Sequence, residues 1–157
     1  MPKYQAVVTA PGFALGVQCS EDEITGIQFL RPQAEVNPSG LLAKETVRQL
    51  RAWLKDPNCE FSLPLRPAGT PFQRRVWSAI AAIPTGSTRS YGELARDIAS
   101  GPRAVGGACG ANPYPVVVPC HRVLAANGGL GGFCHARDRD GLLLEITRWL
   151  LAHEQCR

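Results

Sequence analysis

The sequence predicts a two-part α/β protein. A small mixed α/β domain (residues 1–68) precedes a mostly helical domain (residues 69–157) that contains a helix-turn-helix. Three observations predict this. Short β-prone runs and one amphipathic helical pattern fill the first part, a proline- and glycine-rich break follows, and two short helical patterns then meet at a glycine-containing corner. A chain of 157 residues can bury one ordinary core or two small ones.

Tyr4–Thr9, Phe13–Cys19 and Ile24–Phe29 are short apolar runs separated by Pro11-Gly12 and by the acidic turn Glu21-Asp22. Such runs, bounded by turn residues, predict a three-strand meander. Pro38-Ser39 opens a helical pattern in which Leu41, Leu42, Val47, Leu50 and Leu54 share one apolar face. Phe61, Leu63 and Leu65 alternate like a further strand. Cys19 and Cys59 read as packing residues. No catalytic spacing occurs in this half, which is expected to act as a support.

The run from Arg66 to Pro71 breaks regular structure and predicts a linker. Beyond it, Phe72, Val76, Trp77 and Ile80 share a helical face that Pro84-Thr85-Gly86 stops. Thr88–Ser90 leads into a short helix, Tyr91–Ala99. Ala99-Ser100-Gly101-Pro102 forms a tight corner, and Pro102 suits the first turn of the next helix, Arg103–Gly110. Two short helices around such a corner make a helix-turn-helix pattern. The second helix contains Gly106, Gly107 and Gly110, each costing about 1 kcal/mol of helix propensity. A helix this smooth admits very close approach by a backbone, either that of the same protein or that of a nucleic acid.

Composition narrows the class. With 45% apolar and 19% charged residues, wholesale disorder is excluded. Runs such as Pro115–Val118 and Leu142–Leu144 are far too short to span a membrane. The opening residues lack a charged-then-apolar leader pattern, which predicts a cytoplasmic protein whose six cysteines are thiols. Residues 1–68 carry seven basic and seven acidic side chains, and residues 123–157 four of each. The surplus of +4 therefore falls in residues 69–122, where Arg74, Arg75, Arg89, Arg96, Arg103 and Arg122 face only Glu93 and Asp97. Clustered arginines are a footprint for polyanions, nucleic acid first, or a solvated face. No acidic side chain lies between Pro102 and Asn127, so this stretch would not repel phosphate.

The chemistry concentrates at Asn112-Pro113-Tyr114-Pro115-Val116-Val117-Val118-Pro119-Cys120-His121-Arg122-Val123. Val116–Val118 reads as a short buried strand with Cys120 at its end. A thiol is a strong nucleophile only as thiolate, and neighbouring basic or cationic groups favour that form. His121 could take the proton directly or through a water, Arg122 adds positive charge nearby, and Asn112 or Glu154 could fix the histidine tautomer. A packed cysteine beside a hydrogen-bonded histidine is the plain alternative. Metal binding is disfavoured, because no paired C-x-x-C spacing occurs.

The string Pro119-Cys120-His121-Arg122-Val123, with Asn112-Pro113 before it and Gly128, Gly129-Leu130-Gly131 and Phe133 after it, resembles the O6-alkylguanine-DNA alkyltransferases, the methylated-DNA–protein-cysteine methyltransferases. The likeness extends through Phe72, Val76-Trp77, Ile83-Pro84, Gly86, Ser90-Tyr91, Leu94-Ala95 and Arg103-Ala104-Val105-Gly106 to Trp149–Glu154. It implies a ribonuclease H-like N-terminal domain ahead of the helical one, and single-turnover transfer of an alkyl group from O6 of guanine, and O4 of thymine, in duplex DNA. Cys120 would accept the group after base flipping. His121 and Glu154 would deprotonate it, with Glu145 a competing carboxylate, and Asn112 would orient the site. Tyr91 would assist the flipped base, and Arg103 would fill the space it leaves. Ala104, Gly106 and Gly107 would follow the minor groove, with Arg122 contributing charge. Val123 and Cys134 would read the guanine edge, and Phe133 with Pro115 would line the alkyl pocket. The resemblance implies a monomer needing no metal or cofactor. Two rivals remain: a DNA-binding module that flags lesions without transfer, against which Cys120 argues, and a cysteine hydrolase with an unrelated substrate.

Overall fold

The structure is a computed structural model that describes residues 3–125 and 141–155. It is a mixed α/β protein whose described residues form five α-helices and two small sheets, and the chain divides into two compact units, Met1–Pro67 and Ala68–Arg157.

In the first unit, β1 (Ala6–Ala10), β2 (Phe13–Cys19) and β3 (Ile24–Leu30) form an antiparallel meander. Val8 pairs with Leu15, and Val17 with Ile27. The β1–β2 turn places Gly12 at φ +83°, a conformation that glycine adopts without steric cost. Helix α1 (Leu41–Lys55) packs on β1 and β2 through Ala43, Val47, Leu50 and Trp53, which recur at helical spacing.

The strand expected at Phe61–Leu65 does not form. Leu65 makes a single parallel bridge to Ile24, where Ile24 N–H donates to the Pro64 carbonyl (2.7 Å) and Arg66 N–H to the Ile24 carbonyl (2.9 Å). Pro64 and Pro67 have no N–H to extend a ladder. Gln49 on α1 holds the segment instead, accepting from Ser62 N–H (2.8 Å) and donating to the Ser62 carbonyl (3.1 Å). Cys59, expected to pack, is exposed.

The second unit opens with α2 (Pro71–Ala81), started by a capping box. Thr70 Oγ1 accepts from Gln73 N–H (3.1 Å), and the Gln73 side chain accepts from Thr70 N–H (2.9 Å). A second capping box, Ser90 with Glu93, starts α3 (Tyr91–Asp97) directly after the two-residue strand β4 (Arg89–Ser90). Helix α3 ends where Ala99 turns left-handed (φ 55°) and Ser100 N–H returns to the Ala95 carbonyl at 2.8 Å. Helix α4 (Pro102–Gly110) follows, with Pro102 at its first turn. Helices α2, α3 and α4 pack on one another around Val76, Ile80, Leu94, Val105 and Ala108. Trp77 Nε1 donates to the Ala108 carbonyl at 2.8 Å and locks α2 to α4. After α4 come, among the described residues, a 3-10 turn (Cys120–Arg122), strand β5 (Val123–Leu124) and helix α5 (Leu142–Gln155). Among the described residues no helix is long and apolar enough to cross a membrane.

Candidate active site

The expected strand at Val116–Val118 is replaced by a tight turn. Val118 N–H closes on the Tyr114 carbonyl (2.8 Å), and Val116 adopts φ 76°, an unusual value for a β-branched residue. Such a conformation costs about 1–3 kcal/mol and persists only where its surroundings enforce it. Asn112 enforces it. Its Oδ1 accepts from Tyr114 N–H (2.9 Å), while its Nδ2 donates to the Val118 carbonyl (2.9 Å) and to Cys120 Sγ (3.2 Å). One amide side chain therefore shapes the approach to Cys120 and points a donor at its sulfur. A donor there favours the negative sulfur over the neutral one.

The 3-10 turn fixes the next three side chains. Cys120 N–H donates to the Val118 carbonyl (2.8 Å), and Arg122 N–H to the Pro119 carbonyl (3.0 Å). Cys120, His121 and Arg122 are all buried. His121 Nε2 lies 3.0 Å from Glu154 Oε2, and Glu154 is 1% exposed. Burial pushes the His121 pKa down against the pull of Glu154, so its ring is neutral at physiological pH. Burial raises the Glu154 carboxyl, but hydrogen bonds from His121 and Arg122 outweigh it and hold the group at about 2. A neutral imidazole oriented by an ionised carboxylate is a proton acceptor in waiting.

Strands β4 and β5 pair in parallel, Arg89 with Val123 and Ser90 with Leu124. This pairing sets Tyr91, the first residue of α3, beside the segment that follows Cys120, and Tyr91, Cys120 and Val123 belong to one buried cluster. Pro115 is half-buried at the turn that leads to Cys120. Phe133 and Cys134 lie outside the described residues.

Arg122 departs from the expectation that it contributes charge to a DNA-facing surface. It is 7% exposed. Its Nε donates to both oxygens of Glu154 (3.0 and 3.1 Å), its Nη2 to Glu154 Oε2 and Thr85 Oγ1, and its Nη1 to the Ile83 carbonyl (2.7 Å). Its charge is spent inside the protein. Arg75 donates to the Ile98 carbonyl, and Arg89 pairs with Asp97 at 2.7 Å. Arg103 and Ala104 are exposed at the start of α4, and Gly107 on its open face. A Cβ built on Gly106 or Gly107 would meet nothing within 4 Å. The packing of the described residues thus does not require glycine at either place.

The function of Ile83 and Thr85 as acceptors for Arg122 was not legible in the sequence, since a backbone carbonyl and a loop hydroxyl leave no motif. Among the remaining described cysteines, burial pushes the Cys19 thiol up, away from thiolate, and Cys109 is buried on α4. No group of three His, Cys, Asp or Glu side chains among the described residues gathers to hold a metal.

Fold and site together define a protein with a buried cysteine, next to a histidine–carboxylate pair and set beside a pair of short helices. The family model for the 6-O-methylguanine DNA methyltransferase DNA-binding domain matches residues 71–156. The methylated-DNA–protein-cysteine methyltransferase of Methanosarcina mazei is 43% identical, over 91% of this chain and 96% of its own. That of Methanosarcina acetivorans is 34% identical, over 91% and 97%. The crystal structure of Mycobacterium tuberculosis O6-methylguanine methyltransferase superposes with a TM-score of 0.80 at 35% identity, covering 96% of this chain and 92% of that one. The chain belongs to the methylated-DNA–protein-cysteine methyltransferase family.

Proposed function

We propose that this protein repairs alkylated DNA by transferring a methyl or other alkyl group from O6 of guanine, or O4 of thymine, to Cys120, once per molecule. The observation that carries the reading is the constellation around one sulfur: Asn112 Nδ2 at 3.2 Å from Cys120 Sγ, and the adjoining His121–Glu154 pair at 3.0 Å. A related protein, Mycobacterium tuberculosis OGT, has been solved in complex with DNA; it has a TM-score of 0.79 to this chain at 36% identity, covering 95% of this chain and 91% of that one. That supports DNA as the partner.

Cys120 is only 4% exposed, so a base stacked in a duplex cannot reach it. The target nucleotide must leave the stack, at a cost of a few kcal/mol that is least for a badly paired, damaged base. In this reading α3 and α4 form a helix-turn-helix whose second helix lies in the minor groove. Its face of Ala104, Gly106 and Gly107 fits a groove about 6 Å wide, which bulky side chains would block. Arg103 enters the stack in place of the extruded nucleotide. Val123 reads the guanine edge and Pro115 borders the alkyl group.

In the transfer step His121 takes the Cys120 proton at the ring nitrogen that Glu154 does not hold, directly or through one water. The thiolate attacks the alkyl carbon in line, the S–C bond forms, and the C–O bond breaks with its electron pair left on guanine. Tyr91 donates toward the purine as that charge develops. The proton taken by His121 is matched by the one guanine gains, so the reaction is proton-neutral. The product thioether has no carbonyl for water to attack, which makes the protein single-use. It acts as a monomer in the cytoplasm, with the ribonuclease H-like N-terminal unit as a support.

The test is incubation with duplex DNA containing O6-methylguanine, read by intact mass and peptide mapping. One methyl on Cys120, at no more than one per protein, is expected. Repeated turnover, tight lesion binding without transfer, or Cys120-dependent ester hydrolysis indifferent to DNA would overturn the reading.

A further inference from the structure

We propose that Arg122 is a positioning residue for alkyl transfer: by holding both oxygens of Glu154 and anchoring to the Ile83–Thr85 loop, it makes the carboxylate a fixed orienter of His121 and not a base in its own right. The inference rests on the reading of Cys120 as the acceptor.

The hydrogen-bond pattern carries it. Glu154 Oε2 accepts from Arg122 Nε and Nη2 and lies 3.0 Å from His121 Nε2. Oε1 accepts from Arg122 Nε at 3.0 Å. The oxygen that meets the histidine is thus the one that arginine loads most heavily. An oxygen already accepting two charge-assisted bonds has little basicity left for a proton from imidazole. The ring proton therefore stays on Nε2, and Nδ1 keeps the lone pair that a base needs.

The anchor explains why the group is arginine. Nη1 donates to the Ile83 carbonyl at 2.7 Å and Nη2 to Thr85 Oγ1 at 3.2 Å, while Nε and Nη2 fork onto the carboxylate. Three chain segments, the loop after α2, the acceptor turn and α5, meet on one planar guanidinium. A lysine could supply the charge but not the fork. Among the described residues, the charged groups that act on His121 are Glu154 and His153 on α5 and Arg122 on its own turn, which also carries the Cys120 thiol. Of these, Arg122 opposes protonation of His121 directly by its charge and indirectly by occupying Glu154.

The experiment uses full-length protein with 15N-labelled histidine, as wild type, Arg122→Gln and Arg122→Lys. Long-range proton–nitrogen correlation spectra follow the His121 tautomer and midpoint across about pH 5 to 9, the range in which imidazole titrates. Single-turnover transfer from a free O6-alkylguanine base is measured over the same range. Wild type is expected as the neutral Nε2–H tautomer at pH 7. Arg122→Gln should mix the tautomers, raise the midpoint and displace the pH profile upward. Its transfer at neutral pH should fall by roughly tenfold, a part of the 10²–10⁴ that a positioned base contributes. Arg122→Lys should restore the midpoint more than the tautomer.

A folded Arg122→Gln protein with wild-type tautomer and pH profile overturns the proposal, whether or not its rate falls, since a plain strut would leave both unmoved. Should Arg122→Gln not fold, Thr85→Val and Arg122→Lys decide: smaller shifts in the same direction support it, and unchanged spectra and profile overturn it. If wild type transfers no alkyl group, the functional reading fails, while the histidine spectra still report on Arg122.

Discussion

Replacing both Gly106 and Gly107 by alanine should stabilise the protein and impair it on duplex DNA. The two glycines sit mid-way along a nine-residue helix, neither has a positive φ, and a Cβ at either would meet nothing within 4 Å. Each substitution removes backbone freedom from the unfolded chain and restores helix propensity, gaining about 0.5–1 kcal/mol. Both together should gain about 1–2 kcal/mol, which at about 2–8 °C per kcal/mol raises Tm by several degrees. The same methyls stand on the face proposed to enter the minor groove. Transfer from duplex DNA should slow by roughly tenfold or more, corresponding to about 1.4 kcal/mol or more of lost binding. Transfer from a free O6-alkylguanine base should keep its rate, because a Cβ at either glycine meets nothing within 4 Å, Cys120 and His121 included. The assays are thermal unfolding and single-turnover transfer on the two substrates. A stabilised variant that repairs duplex DNA at full speed would refute the groove-facing role of α4. A destabilised one would refute the reading that these glycines are free of packing demands.

Asn112→Asp replaces the donor on Cys120 Sγ with a carboxylate oxygen, which disfavours thiolate. Transfer should slow on free base and duplex alike, with its pH optimum moved upward; an unmoved optimum would contradict the role given to Asn112. Arg103→Ala should cost duplex repair more than reaction with the free base, and equal losses would show that Arg103 does not fill the stack. Glu154 titrates at about 2 in the folded protein against an ordinary 4.5. A depressed carboxyl stabilises fully above its unfolded pKa and loses that contribution as pH falls through the folded one. The wild-type Tm should therefore drop between about pH 4.5 and 2 more steeply than that of Glu154→Gln, whose amide does not titrate. Parallel acid profiles would refute this. At neutral pH, Glu154→Gln leaves Arg122 buried without its counter-charge and should cost about 3–5 kcal/mol, read by denaturant unfolding.

Much of this protein follows from local pattern. Short apolar runs between turn residues marked the meander, and period-3.6 apolar spacing marked α1 and α2, because that period follows from helix geometry itself. The break at Arg66–Pro71 and the lead-in at Thr88–Ser90 marked helix starts that the structure places within a residue or two, and the structure adds a capping box at each, on Thr70 and on Ser90. Cys120 and His121 were legible as adjacent letters. Where the sequence misled, a side-chain partner or a proline decided. Val116–Val118 has strand composition, yet the Asn112 side chain bends it into a turn. Phe61–Leu65 alternates like a strand, but its prolines and Gln49 leave it a single bridge.

Charge shows the division most clearly. A count along the chain finds six arginines in residues 69–122 and treats them as one surface. Only the fold separates them, because a charge drawn into a 1%-exposed carboxylate no longer acts on solvent or on DNA. Arg122 leaves the basic face and joins His121 and Glu154, a residue 32 positions away. The choice between Glu154 and Glu145 as partner of the histidine is of the same kind. Both carboxylates are visible on the last helix, but only the packing of α5 against the acceptor turn brings Glu154 to 3.0 Å from His121. Sequence determined which groups could do chemistry. Tertiary structure decided which of them meet, since hydrogen bonds and desolvation act through distances that the order of residues does not contain.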